Sequence, residues 1–136
     1  MNSDFSIAVH CIAFLATKPD QRATSEEIAH SVTIHPARLR KILSLLRKEG
    51  LLSSKEGIGG GFLLKEEPGN ITLDKIFFLT SEGVLKPKCP EANENCMVGK
   101  NLSVVLYHIF DGAEAYLMNY LKTISILDII NEIKRK

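Results

Sequence analysis

The sequence predicts a mainly α-helical fold with one small β-hairpin and a long helix towards the C-terminus. Three observations support this prediction. Apolar residues recur at helical spacing between residues 4 and 50, two short apolar runs at 51–54 and 61–64 flank a glycine-rich stretch, and residues 101–121 are apolar over a wide helical face. A chain of 136 residues, 45% of them hydrophobic, is long enough to bury a real core.

The first predicted helix spans 4–17, where apolar residues return every three or four positions. Ser3 or Asp4 is suited to cap its start, and Pro19 is expected to follow its end. The chain begins without a positively charged leader, and its first apolar run, interrupted by His10, is too short to cross a bilayer. A cytoplasmic location without membrane attachment is therefore expected.

A helix-turn-helix pattern follows. Thr24 opens a short predicted helix over 24–31 and can form a capping box with Glu27. After the turn "VTI", Pro36 suits the first position of a longer helix, and Gly50 suits the left-handed residue after that helix ends. In this arrangement the second helix is the one that reads a DNA major groove.

Positive charge is concentrated around the second of these helices. The whole chain has a formal net charge of only +1, but residues 35–55 hold six basic side chains and one acidic side chain, a local net charge of +5. Such a local field attracts nucleic-acid phosphates without a high overall charge. A solvated helix face is the alternative interpretation of the same charges.

The glycine-rich stretch "KEGIGGGFLL" at 55–64 is predicted to form the tip of the hairpin. A Walker loop would end in Gly-Lys-Ser or Gly-Lys-Thr and lead into a helix, whereas Phe62 and an apolar run follow here. A hairpin directly after a recognition helix is a wing. Glycine permits the tight turn and lets backbone amides approach a phosphate backbone, and both roles are expected of 59–61.

In order and spacing, these motifs resemble the Rrf-two family of bacterial winged helix-turn-helix transcription regulators. That family includes an iron-sulfur cluster regulator, a nitric-oxide-sensitive repressor and a cysteine-metabolism repressor. The resemblance rests on "DFSIAVHCIAFLA", "SEEIAHSVTIHPARLRKILSLLRKEGLLSS", "GIGGGFLL" and "PGNITLDKI", with Glu82-Gly83 closing the matched region. Glu56 departs from the family, which usually carries an arginine at that position of the wing.

The resemblance and the element pattern together predict three regions. A winged helix-turn-helix DNA-binding domain is expected at 1–83, a cysteine-containing loop at 84–99, and a dimerisation helix with a last short helix at 100–136. The expected function is a homodimeric, sequence-specific regulator that binds double-stranded DNA, with repression as its expected action.

Arg38 and Arg40 are the candidates for base-edge or phosphate contacts, and Lys41 and Lys55 for phosphate contacts. The full set of predicted DNA-binding residues is Ser25, Thr33, His35, Pro36, Arg38, Arg40, Lys41, Lys55, Gly59, Gly60 and Gly61. A winged-helix module that binds another protein instead of DNA is the competing interpretation.

An enzyme is not expected. The four histidines are scattered along the chain, and no nucleophile and base, and no set of metal ligands, occur at a usable spacing.

The long helix predicted at 101–121 is too apolar to be covered by its own domain alone. A second copy of the chain is therefore expected to bury one of its faces. The predicted dimer contacts are Leu102, Val105, Leu106, Ile109, Phe110, Ala113 and Leu117. Short helices are predicted on either side of it, one capped by Thr72 and the other by Ser125, with Asp128 completing a second capping box.

Two cysteines, Cys89 and Cys96, lie in the polar loop before the long helix, whereas Cys11 lies in the first helix and is expected to be buried. Cluster-binding members of the family place three cysteines in this loop. Because the third is missing here, the resemblance implies no bound cofactor and no metal.

Three interpretations of this cysteine pair stay open. Oxidation could close a disulfide, which the nearby Lys86 and Lys88 would favour by stabilising a thiolate. An iron-sulfur cluster could instead be completed by Glu91 or His108. The pair could also be two thiols without any sensing role.

Overall fold

The computed structural model describes residues 3–136. Within this range the chain forms six α-helices and three short β-strands, in the order α1, β1, α2, α3, β2, β3, α4, α5, α6. The helices are α1 (Asp4–Thr17), α2 (Ser25–Val32), α3 (Pro36–Lys48), α4 (Leu73–Ser81), α5 (Met97–Leu121) and α6 (Ile126–Lys134). The strands are β1 (Arg22–Ala23), β2 (Leu52–Lys55) and β3 (Gly61–Leu64). This is the mainly helical fold with a small sheet that the sequence predicts.

Both predicted capping boxes are confirmed. At the start of α2 the Thr24 hydroxyl accepts from the Glu27 amide at 3.1 Å, and the Glu27 carboxylate accepts from the Thr24 amide at 3.1 Å. At the start of α6 the Ser125 hydroxyl accepts from the Asp128 amide at 3.1 Å, and the Ser125 amide donates to the Asp128 carboxylate at 2.9 Å. Each box supplies acceptors for two backbone N–H groups at a helix start, which would otherwise need water.

Two other predicted caps occupy the cap position but bind elsewhere. Ser3 precedes α1 without capping it, because its hydroxyl accepts a hydrogen bond from Arg38 at 2.7 Å. Thr72 precedes α4, but its hydroxyl donates to the Asp74 carboxylate instead of accepting from the helix backbone. The residue types therefore mark the helix boundaries correctly, and the expected cap hydrogen bonds are wrong.

The turn between α2 and α3 depends on one left-handed residue. Thr33 has φ 56° and ψ 50°, and its amide donates to the Ala29 carbonyl at 2.9 Å, which ends α2. Pro36 is the first residue of α3, as predicted, and Gly50 with φ 82° follows its end. The two helices therefore form the predicted helix-turn-helix.

The sheet has three antiparallel strands in the order β1-β3-β2. The hairpin pairs Leu52 with Leu64 and Lys55 with Gly61, and the bounds of its two strands agree with the prediction to within one residue. The sequence did not predict β1, which pairs Ala23 with Phe62 on the other edge of β3. A two-residue strand is too short to show any alternation of apolar and polar positions.

The hydrophobic core is built around α1, whose Ala8, Cys11, Ile12 and Leu15 are fully buried. Helices α2, α3, α4 and α6 all pack on α1. The C-terminal segment is also tied back by backbone hydrogen bonds, from Leu73 to the Ile124 carbonyl at 2.9 Å and from Ile126 to the Ile71 carbonyl at 2.8 Å. Residues from both ends of the chain therefore share one core.

Helix α5 begins at Met97, earlier than the predicted start at Asn101, and continues for 25 residues. It packs against α4, and none of its residues is fully buried within the chain. Among residues 3–136, no helix combines the length and the apolar character needed to cross a membrane.

Candidate nucleic-acid interface

Helix α3 has one buried face and one basic face. Leu39, Ile42, Leu43 and Leu46 point into the core, while Arg38, Arg40 and Lys41 are exposed on the rest of the helix surface. The buried stripe fixes the rotation of the helix about its axis, because turning it would bring charged side chains into the core. The fold therefore presents the basic face to the outside.

Arg38 already has partners within the protein. Its guanidinium donates to the Asp4 carboxylate at 2.8 Å and 3.2 Å and to the Ser3 hydroxyl at 2.7 Å. This ion pair joins the start of α1 to α3, and the Arg38 side chain is 41% exposed. Arg38 would therefore share its donors with Asp4, or leave it, in order to contact a nucleic acid, whereas Arg40 and Lys41 project from the exposed face.

The remaining predicted contacts on the two helices lie near helix starts. Ser25 is the first residue of α2, Pro36 the first of α3, and Thr33 lies in the turn between them; all three are exposed. His35 caps α3, because its Nδ1 atom accepts from the Ala37 amide at 3.1 Å. The amides at such helix starts carry partial positive charge, which suits a phosphate group.

The wing is a tight turn that depends on its glycines. Gly57, Gly59 and Gly61 all have positive φ, and a Cβ on Gly60 would lie 2.3 Å from the Lys55 carbonyl oxygen. The Gly60 amide donates to the Gly57 carbonyl at 2.9 Å. The structural role predicted for the glycines is therefore present, and one of the three amides proposed to meet phosphate already has a partner in the turn.

Two arginines that the sequence did not single out hold the wing against the body of the domain. Arg22, on β1, donates to the Gly59 carbonyl at 2.8 Å, and Arg47, on α3, donates to the Ser54 hydroxyl at 3.2 Å. Arg47 lies in the positively charged segment 35–55, but it is not among the predicted DNA-binding residues. For Arg22 no signal was available, because 37 positions separate it from Gly59.

A cleft of about 850 Å³ opens between the wing, β1 and the start of α2. Four cationic residues line it, namely Lys18, Arg22, Arg47 and Lys55. Carboxylates are present as well, and one of them, Glu27, lies 3.8 Å from the Lys18 ammonium. The backbone amide and the hydroxyl of Thr24 in the α2 capping box lower the pKa of Glu27, so this carboxylate remains ionised to a more acidic pH than a free glutamate.

Helix α5 exposes an apolar stripe on the side away from α4. Leu102, Val105 and Ile109 are 48%, 52% and 57% exposed. Ala113 is also exposed, whereas Leu106, Phe110 and Leu117 are half-buried at the edge of the α4 contact. The stripe continues through Val98, Tyr116 and Tyr120, which the sequence-based list of contacts does not contain. Their spacing of three or four residues places them on the same face.

The cysteines have three different environments. Cys11 is fully buried, and burial raises the pKa of its thiol to about 12. Cys96 is exposed and occupies the cap position of α5, where the amides of Gly99 and Val98 lower the pKa of its thiol. Both amides belong to the first turn of α5, although neither meets the geometry of a regular cap hydrogen bond to the sulfur.

Cys89 is half-buried, with its thiol 3.9 Å from the Pro87 carbonyl oxygen. A hydrogen bond with Cys89 raises the pKa of the Tyr107 hydroxyl on α5. The Lys86 ammonium lies 3.0 Å from the Asp111 carboxylate. The Cys96 thiolate is favoured by helix amides, and the influence of Lys86 and Lys88 on the Cys89 thiol stays a prediction.

The donor set of this region does not fit a metal cluster. Across residues 3–136, no three or more histidine, cysteine, aspartate or glutamate side chains come together in a way that could hold a metal ion. Glu91 and His108, considered as additional ligands, are both exposed. The two thiols of this loop are fewer than the cysteine ligands that usually hold an iron-sulfur cluster.

The helix-turn-helix, the glycine-rich wing and the exposed basic face of α3 define a winged helix-turn-helix protein, a DNA-binding fold. A long helix with an unburied apolar stripe follows this domain. The first feature is expected from the motifs of the first 83 residues, and the second from the apolar pattern at 101–121.

The chain belongs to the Rrf2 family, the Rrf-two family that its motifs indicate. The Rrf2 family model, described as an iron-dependent transcriptional regulator, matches residues 1–132. The protein is thus a transcriptional regulator of this family and not an enzyme.

Known proteins of the same class are similar over three quarters or more of the chain. YwnA of Bacillus subtilis (strain 168), assigned as an HTH-type transcriptional regulator, is 29% identical over 134 residues, which cover 98% of each protein. The HTH-type transcriptional regulator IscR of Photorhabdus laumondii is 28% identical over 105 residues, 77% of this chain and 62% of IscR. A crystal structure of a protein from Lactobacillus plantarum, assigned as a transcriptional regulator, superposes with a TM-score of 0.84 at 28% identity, covering 98% of this chain and 91% of the other.

Proposed function

We propose that the protein is a homodimeric repressor that binds double-stranded DNA with sequence specificity. The observation that carries this proposal is the exposed basic face of α3, which the buried leucine and isoleucine stripe holds in place beside the wing. A helix presented in this way can enter a major groove, and the neighbouring helix starts and wing can meet the phosphates.

Dimerisation through the apolar stripe of α5 would place two α3 helices on one DNA molecule. In a two-fold symmetric dimer the two half-sites lie on one face of the duplex, about 34–36 Å apart or a multiple of that distance. We propose repression as the result when such a dimer occupies a promoter. The membership of the chain in a transcriptional regulator family supports this function.

Selection of bound sequences from random double-stranded DNA tests the proposal. The expected result is a two-fold symmetric motif, with an affinity that falls steeply as the salt concentration rises. Fluorescence anisotropy on the selected motif and on a scrambled duplex gives the specificity. Weak, salt-insensitive binding with no enriched motif would contradict the proposal and would favour a module that binds another protein.

A second proposal concerns oxidation, and it rests on the position of Cys96 at the start of α5. A hydroperoxide would react with the Cys96 thiolate: the sulfur bonds to one peroxide oxygen, the O–O bond breaks, and the other oxygen leaves as water or alcohol after protonation. The Cys89 thiol then attacks the oxidised sulfur and water leaves, so both cysteines are oxidised and the peroxide is reduced.

We propose that this regulator works without a bound cluster, since the donor set is incomplete.

Alkylation rates test the special reactivity of Cys96. In a Cys89→Ser variant, we expect the pH midpoint for iodoacetamide labelling of Cys96 to be lower in the folded protein than in the urea-unfolded protein. The sign follows from the α5 amides, which stabilise the thiolate only while the helix is formed. Mass spectrometry of the labelled peptides provides the measurement. Equal midpoints in both states would contradict the assignment, and Cys11 is the internal control, because its buried thiol should label only on unfolding.

A further inference from the structure

The tip of the wing is held by a side chain from outside the hairpin. Arg22 donates from Nη1 to the Gly59 carbonyl at 2.8 Å. Gly59 lies in the turn between β2 and β3. Its φ of 75° is in the left-handed region, which residues other than glycine rarely adopt. A charged donor on a backbone carbonyl is among the stronger hydrogen bonds in proteins.

The backbone around Arg22 is fixed by the same hairpin. Arg22 pairs with Leu63 and Ala23 with Phe62 across the edge of β3. A Cβ at Gly61 would lie 2.5 Å from the Ala23 carbonyl oxygen, so the close approach of β1 requires glycine at this position. Because β1 cannot move away from β3 without breaking this pairing, the Arg22 guanidinium is held at a defined place beside the turn.

The charge of Arg22 also matters at this place. The turn itself carries the carboxylate of Glu56, next to Lys55. Arg22 is exposed and lines the cleft between the wing and the start of α2. Its guanidinium therefore adds positive charge on the side of the wing that faces this cleft, where Glu56 opposes the approach of phosphates.

We infer that Arg22 is a positioning residue for DNA binding, which holds the wing tip through the Gly59 carbonyl in the conformation that meets the DNA backbone. This inference rests on the proposed function. Its physical basis is preorganisation: a wing that is already ordered loses less conformational entropy when it binds. Arginine suits this task because its planar group can donate to the carbonyl while further N–H donors remain for another acceptor.

The test compares Arg22→Met, which removes the donors and the charge, with Arg22→Lys, which retains the charge. Lys122→Met is the matched control, because Lys122 is an exposed cation at the end of α5, away from the wing. Amide hydrogen exchange at Gly60, whose amide donates within the turn, reports wing opening in the free protein. Anisotropy titrations at several salt concentrations report DNA affinity and its salt dependence.

For Arg22→Met we expect Gly60 exchange to accelerate by about five- to tenfold and DNA affinity to fall by about tenfold. Arg22→Lys should show a smaller change in both measurements, and Lys122→Met should show neither. Unchanged Gly60 exchange in folded Arg22→Met would overturn the inference, even if the salt dependence decreased as for a simple phosphate contact. Faster exchange with unchanged DNA affinity would overturn it too.

The proposed function is tested separately by the wild-type protein in the same titrations. If the wild type binds no DNA, the proposed function fails, and the exchange data alone still show whether Arg22 holds the wing.

Discussion

Replacing Val105 and Ile109 together with glutamate is expected to convert the protein into a monomer and to weaken operator binding by about 100-fold or more. Both side chains are more than half exposed in the single chain, so the substitutions leave its own core intact. In a dimer through α5 the same positions would be buried, and each carboxylate would lose its water without gaining a partner. The loss of affinity follows because each remaining monomer can engage only one half-site.

Ala115→Glu is the matched control for this experiment. Ala115 is exposed on α5 but lies outside the apolar stripe, so a carboxylate there should leave the dimer intact. Sedimentation velocity at micromolar concentration gives the oligomeric state, and anisotropy gives the affinity. A wild-type chain that sediments as a monomer would contradict dimerisation, and a Val105→Glu/Ile109→Glu variant that remains a dimer would show that another surface is used.

The second large effect is expected at the basic face of α3. Arg40→Ala should weaken binding to the selected operator by about 1–3 kcal/mol and relax its sequence preference, as the loss of a base contact does. Lys55→Ala, which removes an expected phosphate contact, should weaken binding to operator and scrambled DNA alike. Arg135→Ala serves as the control, because this exposed arginine lies at the C-terminal end of α6.

Arg38 requires a separate comparison because it is bound to Asp4. If Arg38 contacts DNA, Arg38→Ala should weaken binding strongly, while Asp4→Asn should retain it or strengthen it by removing a carboxylate near the phosphates. If Arg38 only joins α1 to α3, both variants should lose affinity equally. An exposed ion pair contributes at most about 1 kcal/mol to stability, so both variants are expected to fold.

The double variant of Arg38 and Arg40 tests whether the basic face of α3 binds DNA. Unchanged operator affinity of an Arg38→Ala/Arg40→Ala double variant at fixed salt would reject the assignment of the basic face to DNA. A uniform loss on all sequences would instead assign both side chains to the phosphate backbone.

The parts of this fold that were predictable from sequence are those fixed by neighbouring residues. The capping boxes at Thr24 and Ser125 each need only a partner three residues away. Pro36 and Gly50 mark the ends of α3 because each restricts or permits particular backbone angles. The apolar stripes that follow these signals then determine which helix faces are buried.

The parts that were not predictable depend on contacts between distant segments. Strand β1 exists because the edge of β3 is available for pairing, and its two residues carry no pattern of their own. The ion pair of Arg38 with Asp4 and the hydrogen bond of Arg22 with Gly59 join elements that sequence spacing does not relate. For the same reason the hydroxyl of Ser3, a good cap residue by type, accepts from Arg38 instead of from the backbone of its own helix.

The start of α5 illustrates a third case, in which a helix begins without the usual residue at its cap. Cys96 is a weak hydrogen-bond acceptor, so its residue type does not indicate the start of a helix. The preceding loop stabilises the boundary, since Cys96 donates its amide to the Asn93 carbonyl at 3.1 Å. Gly99 also lets this loop approach closely, because a Cβ there would lie 2.8 Å from the same carbonyl oxygen.

The return of α6 to α1 has a consequence for how this protein is made. Ile126 is fully buried in the same core as Ile12 and Leu15 of α1, so α6 covers a helix that is synthesised well before it. Until α6 has been synthesised and has packed, part of the apolar surface of α1 is exposed in the nascent chain. Chaperones and proteases can act on the chain during this time. Contacts of such long sequence separation also slow folding. A chain terminated within α5 would keep its helix-turn-helix sequence but lack α6. The surface of α1 that α6 covers would then stay exposed, and the chain would be open to proteases.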